Sequence, residues 1–216
     1  MRLGLIAAIV VWAGAVAAQD WPNLGNDPGG SQFSALDQIT AANVGKLKRA
    51  WIHRSGDIGL PGSATGATSF ESVPIVTNGT LYTCTSFGRV LALDPATGAQ
   101  KWAFDPYIGD NAVYPRPRRA STCRGVSYWQ AADAQPGQVC AKRIFKPDSG
   151  GNVYAIDADT GKSCADFGAG KGHPGYVTHR DYENHGDGSY GWGSPPVVIG
   201  DAVVVAISAN DQVQKA

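Results

Sequence analysis

The sequence predicts an all-β protein built of stacked, four-stranded antiparallel blades. Three observations predict it. First, the 216 residues include 28 glycines and 13 prolines, and only 17% are charged. That composition describes a turn-rich, well-packed β chain, and no long window after residue 50 carries helical spacing. Second, Asn78-Gly79 lies between two apolar runs, the strongest two-residue hairpin signal. Third, the stretch Ala92-Leu93-Asp94-Pro95-Ala96-Thr97-Gly98-Ala99-Gln100-Lys101-Trp102 has a partial copy 63 residues on, Ala155-Ile156-Asp157-Ala158-Asp159-Thr160-Gly161-Lys162. A strand–turn–strand unit repeated at such a period points to stacked sheets.

The N-terminus reads as a secretory signal peptide over residues 1–18. Arg2 is the positive start, Leu3 to Trp12 the apolar stretch, and Val16-Ala17-Ala18 the small-residue end. The apolar run falls short of the roughly 20 residues that a spanning helix needs. Residues 19–216 then form the β domain. Export implies an oxidising compartment, so Cys84, Cys123, Cys140 and Cys164 read as one or two disulfides in any of three full pairings. None has the CxxC spacing of a zinc site. The net charge is zero, which gives no electrostatic case for nucleic acid.

After a Gly/Asn/Asp/Ser-rich loop through Ser34, Asp37 to Val44 reads as a short helix or two turns with Thr40 as N-cap. Val44, Leu47 and Trp51 share one face, which is expected to pack inward, while Lys46, Lys48 and Arg49 stay solvated. Trp51 opens a strand followed by a Gly-rich loop. The first blade comprises Val73–Thr77, Thr80–Thr85, Arg89–Asp94 and Gln100–Phe104. In its last turn Asp94 accepts hydrogen bonds from turn backbone and the Thr97 hydroxyl, and Gly98 supplies positive φ. Trp102 adds a large apolar face with an N–H to satisfy, so this stretch is expected to fasten one blade to the next.

A polar connection, Asp105 to Ser121, carries Arg116, Arg118 and Arg119. The second blade comprises Thr122–Trp129, Arg143–Lys146, Asn152–Asp157 and Cys164–Phe167. Residues 168–193 form a loop rich in Gly, His and Tyr without a strand pattern. His173, His179 and His185 in it read as scattered exposed side chains, or as the lining of a substrate entrance. Pro195–Ile199 and Ala202–Ser208 begin a third blade. About two and a half blades leave two sheet faces exposed, an aggregation liability.

A further set of residues runs almost end to end. It comprises Trp21…Leu24-Gly25-Asn26-Asp27, Gln38-Ile39-Thr40…Asn43-Val44…Leu47…Ala50-Trp51, Val90-Leu91-Ala92-Leu93-Asp94…Thr97-Gly98…Trp102, Thr122-Cys123-Arg124-Gly125-Val126-Ser127-Tyr128 and Ser194-Pro195-Pro196-Val197-Val198. Together these resemble the quinoprotein dehydrogenases, large exported enzymes that use pyrroloquinoline quinone (PQQ). The chain looks most like the branch with membrane glucose and quinate dehydrogenases, in which all four cysteines are common. The resemblance implies a partial β-propeller, the first part of an eight-bladed ring. It implies PQQ in the central channel, Ca²⁺ (or Mg²⁺) against it as Lewis acid, and hydride transfer from a small hydroxyl substrate. Electrons would pass to a membrane quinone or cytochrome, and the protein would be periplasmic.

By position in the motifs, the resemblance implies that Glu71, Arg124 and Ser208 contact the cofactor. Arg124 is expected as a buried inner-strand arginine beside the quinone oxygens. Asp211 is implied as a metal ligand, since a hard divalent ion takes oxygen donors, and Gln212 stands where a second amide-bearing residue is common. The catalytic base is expected beyond residue 216, so the 216-residue chain by itself is expected to be inactive and poorly folded. Three positions depart from the family. Arg118-Arg119 replaces an adjacent cysteine pair, which fits a sugar or polyol branch. Trp129 replaces a histidine found in some glucose enzymes. Gly193 replaces a threonine before Ser-Pro-Pro. The alternative is a non-catalytic exported β-propeller scaffold. A scaffold has no reason to keep Glu71, Arg124 and Asp211 together, and would often carry a lipid-anchor cysteine, yet no cysteine precedes Cys84.

Overall fold

A computed structural model of the chain describes residues 19–59, 69–107, 122–181 and 194–206. The leader read at residues 1–18, and Arg116, Arg118, Arg119, His185, Gly193, Ser208, Asp211 and Gln212, lie outside the described residues. The described secondary structure is all-β apart from short 3-10 turns. Among the described residues ten strands form two four-stranded sheets and a hairpin, all antiparallel. The sheets do not close on one another among the described residues.

The first sheet holds β1 (Ile75–Thr77), β2 (Thr80–Cys84), β3 (Val90–Leu93) and β4 (Gln100–Phe104), in that order. Asn78 at φ 50° and Gly79 at φ 65° make the turn that joins β1 to β2, since a tight two-residue hairpin demands positive φ at both places. The run Val90–Leu93 is buried at every position, as an apolar strand covered on both faces must be. At the turn after β3, Asp94 Oδ1 accepts from the Thr97 N–H and hydroxyl, each at 2.8 Å.

The second sheet holds β5 (Ser127–Gln130), β6 (Lys142–Pro147), β7 (Asn152–Asp157) and β8 (Tyr176–Thr178). Its turn repeats the first: Asp157 Oδ1 accepts from the Thr160 N–H and hydroxyl, each at 2.8 Å. The fourth strand corrects the sequence reading, which put it at Cys164–Phe167 and left Tyr176–Thr178 in a loop. Cys164 N–H donates to Ala155 O at 2.9 Å, and Ala155 N–H donates to Gly175 O at 3.0 Å. The chain therefore leaves the ladder at Cys164, makes an excursion, and rejoins at the same β7 residue. Phe167 O closes the foot of the excursion by accepting from Gly175 N–H at 2.7 Å.

One core joins the two sheets. Ile75, Tyr82, Val90 and Phe104 pack with Val126, Ile144, Tyr154 and Ile156. The predicted fastener does its work there. The Trp102 indole N–H donates to Ala158 O at 3.0 Å, and the Tyr82 hydroxyl donates to the same oxygen at 3.1 Å. The Trp102 ring lies over Gly161, where an added Cβ would approach it to 2.7 Å. Trp51 repeats this over the first turn, with its indole N–H on Pro95 O at 3.0 Å and its ring over Gly98. A smaller cluster on the far face of the second sheet takes in Val198 of β9 (Val197–Ile199) and Val203 of β10 (Ala202–Val204).

The N-terminal segment departs from its reading in two ways. Val44 and Leu47 are 50% and 60% exposed, so only Trp51 of the expected inward face packs. Its helical part is a 3-10 turn, Val44–Lys46, whose N-cap is Asn43 rather than Thr40. The Asn43 side chain accepts from Thr40 N–H at 2.7 Å instead, a local bond that competes with helix continuation. Residues 51–56 form no strand. They are tied down by Arg89, which donates to Ser55 O at 2.6 Å and pairs with Asp57 at 3.3 Å.

Candidate functional site

Two of the residues singled out in the sequence, 53 positions apart, meet in space. Arg124 Nε donates to Glu71 Oε2 at 3.0 Å. The pair sits at the end of the sheets where β1 and β5 begin. Glu71 lies in the segment leading into β1 and Arg124 in the segment leading into β5. Arg124 is not the buried inner-strand residue expected: its side chain is 54% exposed and it precedes the strand. The anion beside it is the Glu71 carboxylate.

The frame around the pair is built from hydroxyls that the sequence reading did not single out. Ser69 Oγ donates to Glu71 Oε1 at 2.9 Å, and Ser86 Oγ donates to Ser69 O at 2.9 Å. Ser72 and Thr83 share a hydrogen bond at 2.9 Å, and Cys84 N–H donates to Ser72 Oγ at 3.2 Å. Val73 N–H donates to Arg124 O at 2.9 Å. Isolated serines carry no sequence signal, which is why they were missed. Hydrogen bonds from Ser69 and then Arg124 hold the Glu71 carboxyl below the usual glutamate range. The pair thus presents a carboxylate already neutralised by its neighbour. Among the described residues the two terminal amines of Arg124 remain to meet an anionic ligand.

The four cysteines form two bridges, Cys84–Cys123 and Cys140–Cys164. The first joins β2 to the residue before Arg124. The second closes the foot of the excursion. Cys140, Cys164 and Asp166 come close together, but the bridged sulfurs offer no thiolate to a metal.

His173 and His179 are partnered rather than exposed. The Tyr176 hydroxyl meets His173 Nδ1 at 2.8 Å, and His173 Nε2 meets Asp181 Oδ1 at 3.1 Å. A carboxylate only accepts, so Nε2 carries hydrogen and, on the neutral ring, Nδ1 accepts from the tyrosine. His179 lies against Gly151. Lys146 is a second unannounced feature. It is 1% exposed, its Nζ has no hydrogen-bond partner among the described residues, and it stands 5.2 Å from the Tyr154 ring centre. Burial lowers its pKa, against the pull of Asp148 and Asp105. A separate apolar groove of about 540 Å³ lies between the second sheet and the β9–β10 hairpin, with Trp129, Phe145, Phe167, Val177, Val198 and Val203 in its walls. It shares no residue with the Glu71–Arg124 pair.

Four-stranded antiparallel sheets packed face to face, each Asp-Thr-Gly turn lying under a tryptophan from the preceding segment, define a β-propeller. The chain belongs to the PQQ-dependent dehydrogenase family, whose model "Glucose/ethanol/alcohol dehydrogenase, beta-propeller domain" matches residues 21–216. It is 39% identical over 200 residues to the quinoprotein glucose dehydrogenase of Escherichia coli, covering 91% of this chain and 24% of that protein. It is 31% identical over 211 residues to the quinate/shikimate dehydrogenase (quinone) of Acinetobacter baylyi, covering 90% of this chain and 24% of that one. The solved quinohemoprotein alcohol dehydrogenase of Pseudomonas putida aligns with TM-score 0.61 at 25% identity, over 88% of this chain and 23% of that chain. The chain thus spans about a quarter of the length of these relatives. Its family is one of oxidoreductases that act on small hydroxyl compounds.

Proposed function

We propose that this chain forms part of the cofactor wall of an exported PQQ-dependent dehydrogenase that oxidises an alcohol, polyol, sugar or cyclic hydroxy acid. The observation that carries the reading is the Glu71–Arg124 pair at 3.0 Å, a guanidinium with donors to spare among the described residues, at the end where both sheets begin. PQQ carries several carboxylates, and a partly exposed arginine whose charge is already half-committed fits one of them without leaving a bare cation. In this reading Ser208 also contacts the cofactor and Asp211 holds Ca²⁺ (or Mg²⁺). When bound, the quinone accepts a hydride and the ion polarises it. The residues of this chain bind and orient: Arg124 grips a carboxylate, Glu71 fixes Arg124, and Ser69 fixes Glu71. The two disulfides fit a periplasmic location. A membrane quinone or cytochrome would take the electrons.

The test is a fluorescence titration of the full-length protein with PQQ in the presence of Ca²⁺. Saturable binding is expected, with Arg124→Ala weakening it by about tenfold to a hundredfold, the loss of one charge-assisted contact. Absence of binding, or equal binding by Arg124→Ala, would overturn the reading. A non-catalytic scaffold would show no binding at all.

A further inference from the structure

The Glu71–Arg124 pair belongs to a closed circuit of links. Ser72, next to Glu71, accepts a hydrogen bond on its hydroxyl from Cys84 N–H at 3.2 Å. Cys84 is bonded to Cys123. Cys123 adjoins Arg124, whose Nε returns to Glu71 at 3.0 Å. Val73 N–H on Arg124 O, at 2.9 Å, braces the circuit across its middle. Both cysteines are buried, at 0% and 5% exposure, whereas the Arg124 and Glu71 side chains are 54% and 38% exposed.

That contrast is the physical point. Packing does not fix an exposed arginine outside a strand, and an exposed ion pair holds two long side chains together only weakly. A buried covalent tie one residue away fixes the backbone that carries the guanidinium. The hydrogen bond to Ser72 fixes the backbone that carries the carboxylate to the same anchor. We propose that the Cys84–Cys123 disulfide is the positioning device of this pair, holding Arg124 in register with Glu71 before any ligand arrives. The inference rests on the reading of the pair as part of a cofactor wall. The Cys140–Cys164 bridge, at the foot of the excursion, touches neither residue and serves as the internal control.

The experiment compares Cys84→Ser/Cys123→Ser with Cys140→Ser/Cys164→Ser in the full-length protein. The first measurement needs no cofactor: the rate at which phenylglyoxal modifies Arg124, followed by peptide mass spectrometry. The Cys84/Cys123 variant should react several-fold faster than wild type, about as fast as Glu71→Gln, while the Cys140/Cys164 variant reacts at the wild-type rate. The second is PQQ titration with Ca²⁺. The Cys84/Cys123 variant should bind more weakly, and adding Arg124→Ala to it should cost less than in wild type, because the two changes act on one unit. Should the double variant fail to fold, Ser72→Ala cuts the same circuit at its hydrogen bond and should also speed the modification. An unchanged rate in whichever variant folds overturns the proposal. If the cofactor reading alone is wrong, wild type fails to bind PQQ while the modification rate still follows the disulfide.

Discussion

At Gly161 the backbone stands at φ 75°, and an added Cβ would approach the Trp102 ring to 2.7 Å. Two penalties therefore fall on one methyl group: left-handed backbone for a non-glycine residue, and overpacking. Gly161→Ala is expected to destabilise the fold by roughly 3 kcal/mol, read as a lowered urea midpoint with unchanged slope. Lys146 predicts the opposite sign. Its buried Nζ has no hydrogen-bond partner among the described residues, so removing the charge removes a cost. Lys146→Met should stabilise by about 1–3 kcal/mol, as replacing a poorly compensated buried charge by an apolar isostere does. The pH dependence follows from linkage. The folded pKa is lowered, so the unfolded chain binds more protons in the window between that value and the ordinary lysine range. Stability rises with pH there. Lys146→Met should flatten that rise in denaturation midpoints measured across the alkaline range. Nothing in the sequence announced Lys146, because an isolated lysine near the end of a strand reads as solvated.

The excursion between Cys164 and Gly175 is the element that the sequence concealed. The second copy of the turn is intact through Gly161, so the following Cys164–Phe167 reads as the returning strand, by analogy with Gln100–Phe104. The ladder shows the strand displaced to Tyr176–Thr178, because Ala155 bonds both ends of the excursion. No alternation marked the three-residue strand, and hydrogen bonds to a single distant residue have no local signature. What secures this element is covalent: Cys140–Cys164, with a sequence separation of 24. A loop of that size gives about 3.5 kcal/mol in the chain-entropy account. Cys140→Ser/Cys164→Ser should lose roughly that much by chemical denaturation. Its amide exchange should quicken mainly over the excursion and β8.

On the scale of the whole molecule, stability resides where the sheets meet. Tyr82 and Tyr128 stand at that junction, with Tyr82 bonded to Ala158 and the Tyr128 hydroxyl accepting from Asn78 at 2.7 Å. Burial is the first cause that pushes both phenols up to about 12. Their folded pKa values are raised, so the stability they lend is fully present below the ordinary tyrosine pKa of 10.0. It is lost as the pH rises from there through about 12. Absorbance at the phenolate band should show these two rings ionising late, together with the separation of the sheets. Tyr82→Phe should remove part of that alkaline loss. Away from that junction Ile199, at the end of β9, is 64% exposed, as are Phe70 before β1 (65%) and Ile58 in a 3-10 turn (93%).

By itself the sequence determined the all-β class, the first sheet nearly strand for strand, both Asp-Thr-Gly turns, and tryptophan as the blade fastener. These are local: period-two alternation, positive φ at glycine and side-chain bonds spanning three residues are written within a few positions. Family motifs singled out Glu71 and Arg124 separately. Only the tertiary structure decided that the two residues bond to each other. It also decided which cysteines pair, where the second sheet finds its fourth strand, and that Lys146 is buried. Each of these depends on which distant segments the packed sheets bring within a few ångströms, and no short window of sequence holds that distance.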